Sequence, residues 1–194
     1  SATSVAEALL AEAQGVDIVV AQGYEAGGHR GIFDPLGPDG RMSTFTLIQA
    51  MRRHTDLPII AAGGIMDGAG INCVMNLGAD GAQLGTAFLL CPESSTDAGY
   101  REAIKGAPDG QTVLTSAISG RPARCLVNGW REINDPHLVP AYPVAYDAGK
   151  ALASAAKAQG NRQFGAHWAG QGVSLIRELP AGELIRKLVS ESGF

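Results

Sequence analysis

The chain has 194 residues, with 15 Lys and Arg against 19 Asp and Glu, a net charge of −4 and 26 glycines. A mildly acidic chain lacks the basic face that nucleic acids require, and no apolar run approaches the ~20 residues of a membrane span. The length is sufficient for one good hydrophobic core, and few charges with many glycines favour an enzyme with tight loops over a disordered chain.

Helices and strands alternate regularly through the first half of the chain. Ser4, Ser43 and Asp67 stand where the predicted helices need N-caps, and Gly15 and Gly78 are suited to end helices. The predicted order is helix 5–14, strand 16–21, helix 44–54, strand 58–62, helix 70–77 and strand 81–85. Such alternation predicts an α/β fold with buried parallel strands and right-handed crossovers.

After residue 91 the pattern becomes mostly helical. The predicted segments are helix 98–105, a turn at 106–110, extended chain at 111–117, an irregular segment at 119–124, helix 145–159 and a terminal helix at 182–190. We therefore divide the chain into residues 1–90, which hold the strands, and residues 91–194, which pack on them. Because three strands cannot close a barrel, we expect this chain to be the C-terminal part of a larger protein. A small open sheet is the alternative.

The loop after the strand at 16–21 is the most informative stretch of the sequence. It places four glycines, between residues 23 and 31, around His29. Glycines let the backbone approach a ligand closely, and histidine is the side chain best suited to move a proton near neutral pH. A Gly-rich turn with a surface histidine is the alternative to an active-site edge.

Two further strands also end in small residues. Gly63-Gly64 follows the strand at 58–62, and Gly85-Thr86 follows the strand at 81–85. Free backbone amides without bulky side chains are typical of phosphate sites. Neither run fits the dinucleotide fingerprint, so we expect a mononucleotide-type phosphate.

The three cysteines are far apart, and their odd number argues against a disulfide framework. We expect Cys73 to be a small core residue of its helix. The histidines show no metal spacing, so we expect no metal site. Together these features indicate a reducing, cytoplasmic location.

Several other polar residues allow two interpretations. Arg121 and Arg124 hold an anion or pack the irregular segment onto the sheet, and Tyr24 lines a substrate pocket or only packs. Asp67 is expected to cap a helix rather than act as an acid. We assign no catalytic role to the remaining histidines, which are His54, His137 and His167.

Five segments of the chain resemble the nitronate monooxygenase family, formerly called 2-nitropropane dioxygenases. They are 21–30 (AQGYEAGGHR), 61–68 (AAGGIMDG), 77–89 (LGADGAQLGTAFL), 119–124 (SGRPAR) and 168–172 (WAGQG). The resemblance implies the C-terminal portion of an FMN-binding TIM barrel, with its sixth, seventh and eighth strands, plus a mostly helical C-terminal region. It also implies that an N-terminal barrel half comes from the same or another chain. In such barrels the loops after strands seven and eight often bind phosphate.

The chemistry that the resemblance implies is oxidation of an alkyl nitronate by O2 to a carbonyl compound and nitrite. In some members a histidine first deprotonates the neutral nitroalkane, and His29 matches that histidine. The implied cofactor is FMN, and no nucleic acid or membrane is an expected partner. The residues implied to contact FMN are Gln22, Gly27, Gly28, Ala62, Gly63, Gly64, Gly85, Thr86 and Gln171.

Two rival functions remain open. Flavin-dependent enoyl-ACP reductases share the Glu-Ala-Gly-Gly-His loop, although Gln22 and the segment at 168–172 favour the nitronate enzymes. A non-catalytic module that binds a phosphate ligand is the second rival.

Overall fold

A computed structural model describes residues 1–107, 111–133 and 138–193 of the chain. Its helices are α1 (Val5–Ala13), α2 (Thr44–Arg52), α3 (Gly68–Asn76), α4 (Ala98–Lys105), α5 (Val144–Ala158) and α6 (Ala181–Ser192). Its strands are β1 (Val19–Gln22), β2 (Gly28–His29), β3 (Ile59–Ala62), β4 (Gly81–Gln83), β5 (Thr112–Thr115) and β6 (Ala123–Leu126). His137 and the last three residues of the predicted turn at 106–110 lie outside the described ranges. None of the helices within those ranges is long and apolar enough to cross a bilayer.

A parallel sheet in the order β1-β3-β4 carries the first half of the chain. Val19 lies opposite Ile59 and Ala61 lies opposite Ala82, and both strand pairs are parallel. This confirms the pairing that the helix–strand alternation predicts. Ala2 adds one parallel bridge to β1, on the side away from β3.

Side-chain caps fix the starts of the three helices that cover this sheet. Ser4 accepts a hydrogen bond from the amide of Glu7, Ser43 caps α2 in the same way, and Asp67 accepts one from the amide of Gly70. The predicted N-caps are therefore confirmed. The helices bury an apolar core against the strands, formed by Ala2, Ala8, Val19, Ala21, Leu47, Ile48, Met51, Ile59, Ala61, Ile65, Val74 and Ala79.

A second sheet, antiparallel and in the order β2-β6-β5, joins the His29 loop to the C-terminal half. His29 lies opposite Ala123, and Gly28 lies opposite Arg124. The prediction of irregular structure through 119–124 was wrong at its end, because Ala123 and Arg124 begin β6. All four residues of β6 are buried, so the period-2 alternation that marks a half-exposed strand is missing from its sequence.

Two expectations about burial were also wrong. Cys73 is exposed, because α3 turns its neighbour Val74 into the core. In β4, Gln83 is exposed and the other two residues are half-buried, because β4 lies at one edge of its sheet. Cys91 and Cys125 are buried, and all three cysteines are free thiols.

Candidate active site

A cleft of about 280 Å³ opens where the carboxyl ends of the parallel strands meet the His29 loop. It brings together all the predicted cofactor residues except Gln171. The residues that line it are Ser1, Val20, Gln22, Ala26, Gly27, Gly28, Ala62, Gly63, Gly64, Ile65, Met66, Gln83, Gly85, Thr86, Leu89, Trp168, Gly170 and Gly172.

The floor of the cleft is a tight turn at the end of β3. Gly63 and Gly64 have φ angles of 120° and 74°, which side chains rarely adopt. A Cβ on Gly63 would lie 2.9 Å from both the amide nitrogen of Ala26 and the hydroxyl of Thr44. That hydroxyl donates to the carbonyl of Gly63 at 2.9 Å. The φ angles and the close contacts therefore require glycine at this turn, and the hydrogen bond from Thr44 holds its conformation.

Gly85 differs from the floor glycines because neither its conformation nor protein packing requires a glycine. Its φ of −115° and ψ of −63° are open to other residues, and an added Cβ would meet no atom within 4 Å. Such a Cβ would stand in open space, and Gly85 is one of the residues that line the cleft. A glycine at this position is expected where a bound group lies close against the backbone.

Hydrogen-bond donors converge around this open space. Within the described residues, the amides of Gly64, Gly85 and Thr86 donate to no protein acceptor. The Thr86 hydroxyl accepts from the amide of Gly170 at 2.9 Å, so its own hydrogen is free for a ligand. Free amides beside open space suit an anion such as phosphate, and these residues therefore fit a cofactor that carries one.

His29 lies beside the cleft, next to Trp168, rather than among the residues that line it, and its imidazole is half-buried. Its Nε2 lies 2.8 Å from the hydroxyl oxygen of Ser119. Three aromatic rings surround it at centroid distances of 5.6 Å (Tyr142), 5.7 Å (Tyr146) and 5.3 Å (Trp168). Trp168 also lines the cleft, so this ring connects the cluster around His29 with the glycine floor.

Burial and the nearby positive charge of Arg121 lower the pKa of His29 below its ordinary value. Both causes disfavour the imidazolium form. The neutral ring, which has a lone pair available, is therefore favoured. A neutral imidazole beside an apolar wall can accept a proton from a weak carbon acid.

Gln22 anchors the His29 loop with its side-chain amide. Its Nε2 donates to the carbonyl of His29 at 2.9 Å, and its Oε1 accepts from the amide of Gly31 at 2.7 Å. Arg30, which is buried, adds an ion pair with the partly exposed Asp39 at 3.0 Å. Gln22 lines the cleft as predicted, but its polar atoms are used within the protein.

Gln171 lies in a neighbouring groove rather than in the cleft. Its amide donates to the carbonyl of Glu25 at 2.9 Å, and the groove of about 370 Å³ beside it is also lined by Glu25, Thr44 and Gly64. Gln171 thus lies behind the glycine floor. Its predicted contact with the cofactor has no support in the cleft geometry.

Arg121, Arg124 and Tyr24, for which the sequence allowed two roles, all make packing contacts within the protein. Arg124 is buried, donates to the carbonyl of Tyr24 at 2.8 Å and stacks 4.6 Å from the centre of the Tyr24 ring. Arg121 donates to the carbonyls of Arg30 and Ile32. Their guanidiniums tie the His29 loop to β6, which is the packing alternative considered from the sequence.

Four residues around His29 were not identified from the sequence as site residues. Ser119 and Trp168 each begin a motif that resembles the nitronate enzymes, so the signal was present. Tyr142 lies two residues before α5 and Tyr146 lies in its first turn, and neither position carries a local signal. Only the fold brings these side chains to the histidine.

Similar proteins match almost the whole chain. The nitronate monooxygenase of Paraburkholderia phytofirmans is 55% identical over 194 residues, which are 98% of this chain and 53% of that protein. The nitronate monooxygenase of Pseudomonas aeruginosa is 53% identical over 193 residues, covering 98% of this chain and 55% of that protein. The chain therefore spans about half the length of these curated relatives.

Solved structures are similar over the same extent. The nitroalkane oxidase from Streptomyces ansochromogenes superposes with a TM-score of 0.93 at 42% identity and covers 99% of this chain and 56% of that one. FabK from Thermotoga maritima superposes with a TM-score of 0.79 at 32% identity. The match covers 99% of this chain and 59% of that one. These likenesses confirm the predicted fold class, the C-terminal portion of a TIM barrel.

A family model described as nitronate monooxygenase matches residues 1–191. The family implies a flavin cofactor, which the open space beside Gly85 and the free amides around it can accommodate. By this match across nearly its whole length, the chain belongs to the nitronate monooxygenase family.

Proposed function

We propose that the full-length protein oxidises alkyl nitronates, and nitroalkanes after deprotonation, with O2 to a carbonyl compound and nitrite. The observation that carries this proposal is a half-buried imidazole beside a cleft lined by glycines and free amides. The first feature suits proton abstraction from carbon, and the second suits a phosphorylated flavin. The family match and the nitroalkane oxidase superposition support the same reaction.

FMN is the flavin that we propose for the cleft. Its single phosphate would be held by the amides of Gly64, Gly85 and Thr86 and by the Thr86 hydroxyl. When bound, FMN supplies the redox chemistry that links the nitronate to O2. The protein contributes the phosphate donors, the fixed turn at Gly63 and the exclusion of competing side chains.

His29 is the base that we propose for neutral nitroalkanes. The bond between the α-carbon and its hydrogen breaks, the proton moves to a ring nitrogen of His29, and the electron pair stays on the substrate as the nitronate. The rings of Tyr142, Tyr146 and Trp168 offer an apolar surface to the alkyl group beside His29. A preformed nitronate needs no such step.

An enoyl reductase is the second candidate, favoured by the FabK superposition. The two reactions consume different substrates and are separated by a direct assay. We expect the full-length protein to release nitrite from alkyl nitronates without consuming NAD(P)H. Oxidation of NAD(P)H with an enoyl thioester and no release of nitrite would favour the reductase.

A binding module without catalysis is tested by the absorption spectrum of the purified full-length protein. We expect the visible absorbance of a bound flavin, and FMN after release by denaturation. A colourless protein that takes up no flavin on reconstitution would overturn the proposed enzyme function.

A further inference from the structure

Ser119 joins the His29 ring to the backbone of the loop at the start of β6. It is fully buried, and its Oγ lies 2.8 Å from Nε2 of His29. The same hydroxyl donates to the carbonyl oxygen of Arg121 at 3.1 Å. The amide of Arg121 donates back to the hydroxyl at 3.4 Å. The hydroxyl is therefore held in place from its own segment.

The number of protons in this arrangement decides which ring nitrogen is the donor. A serine hydroxyl has one hydrogen, and a backbone carbonyl has none to give. A carbonyl oxygen can only accept, so the contact with Arg121 uses the hydroxyl hydrogen, and the bond to His29 then takes its hydrogen from Nε2. In the neutral ring Nδ1 then holds the lone pair, and within the described residues Nδ1 has no hydrogen-bond partner.

We infer that Ser119 is a positioning residue that fixes His29 with its proton on Nε2 and presents Nδ1 as the basic nitrogen. This inference rests on the proposed role of His29 as the base. The α-carbon of the nitroalkane loses its proton to Nδ1, and its electron pair remains on the substrate as the nitronate. The bond from Nε2 to Ser119 is made both before and after the transfer, so the ring does not reorient during the step.

The direct test is the protonation state of the His29 ring in the full-length flavoprotein with 15N-labelled histidine. Two-bond couplings between ring nitrogens and ring protons identify which nitrogen carries hydrogen, and loss of signals in His29→Asn assigns them. We expect hydrogen on Nε2 of the neutral ring in the wild-type protein. Hydrogen on Nδ1 would overturn the inference.

A variant measures the consequence for turnover. We expect Ser119→Ala to give a mixture of the two neutral forms and to lower nitroalkane turnover by about tenfold, the range for one hydrogen bond. Turnover of the preformed nitronate should stay at the wild-type value. Ser154→Ala, on the exposed face of α5, is the matched control and should change neither. An unchanged ring and unchanged nitroalkane turnover in Ser119→Ala would contradict the inference.

The same measurements separate this inference from the proposed function. If the flavoprotein releases no nitrite from either substrate, the proposed function fails, and the ring protonation still decides the role of Ser119. If both substrates are turned over but the wild-type ring carries hydrogen on Nδ1, the function stands and the assignment of Ser119 fails.

Discussion

The cleft and the His29 cluster beside it are built from different parts of the polypeptide. The floor and the β4 side of the cleft present mainly glycine backbone, with free amides at Gly64 and Gly85 and open space beside Gly85. The cluster beside the cleft consists of side chains, with His29 held between Ser119 and aromatic rings. The difference indicates a division of labour in which backbone binds the cofactor and side chains handle the proton.

If side chains handle the proton, the largest loss of nitroalkane turnover is expected when His29 is replaced. His29→Asn should lower nitroalkane turnover by about 10²–10⁴-fold, the usual contribution of a positioned base, because the α-proton then has no acceptor. The rate of nitrite release per bound flavin checks this. Replacing His54, which lies at the exposed C-terminal end of α2, by Asn is the control and should have no effect. Intact nitroalkane turnover in His29→Asn would show that His29 is not the base.

On the floor side, the expected effect is on the cofactor. Gly85→Val should weaken flavin binding by about 10–100-fold, because the added side chain fills space that the cofactor needs and overpacking costs about 1–3 kcal/mol. Titration of the apoprotein with FMN, followed by flavin fluorescence, measures the affinity.

A matched control exists in the loop before α2. An added Cβ at Gly40 also meets no atom within 4 Å, but Gly40 lies outside the cleft. Gly40→Val should therefore bind FMN like the wild-type protein. Equal FMN affinity in the Gly85 and Gly40 variants would mean that the phosphate lies elsewhere.

A smaller loss of turnover is expected at Gln22, and it distinguishes anchoring of the His29 loop from contact with the cofactor. Gln22→Ala removes two hydrogen bonds that anchor the His29 loop, and we expect about a tenfold loss of nitroalkane turnover with little change in flavin affinity. Gln49→Ala removes a comparable side-chain bond on α2 and serves as the control. A loss of flavin affinity that exceeds the loss of turnover would instead assign Gln22 to the cofactor.

The smallest effect concerns pH. Because burial and Arg121 lower the pKa of His29, the neutral base persists at pH 7 and is lost only as the pH falls further. For nitroalkanes, kcat/KM should be flat above pH 7 and should fall with a midpoint below the ordinary value of 6.5. For nitronates this acid limb should be missing. A midpoint above 6.5 would contradict the environment described for His29.

Sequence reasoning reached the backbone side of the site more fully than the side-chain side. Glycines at strand ends leave a local signal, so Gly63, Gly64, Gly85 and Thr86 were found before the fold was known. The partners of His29 come from distant positions, and only the pairing of β2 with β6 brings Ser119 close. A two-residue strand and a fully buried four-residue strand have too little periodicity to predict that pairing.

The most direct test of the division of labour is the ratio of nitroalkane to nitronate turnover, measured side by side on flavin-loaded wild type, His29→Asn and Gly85→Val. The ratio should fall by about 10²–10⁴-fold in His29→Asn, because only the nitroalkane needs a base. In Gly85→Val it should stay at the wild-type value, because a loss of flavin affects both substrates alike. An unchanged ratio in His29→Asn, or an equal fall in both variants, would contradict the account.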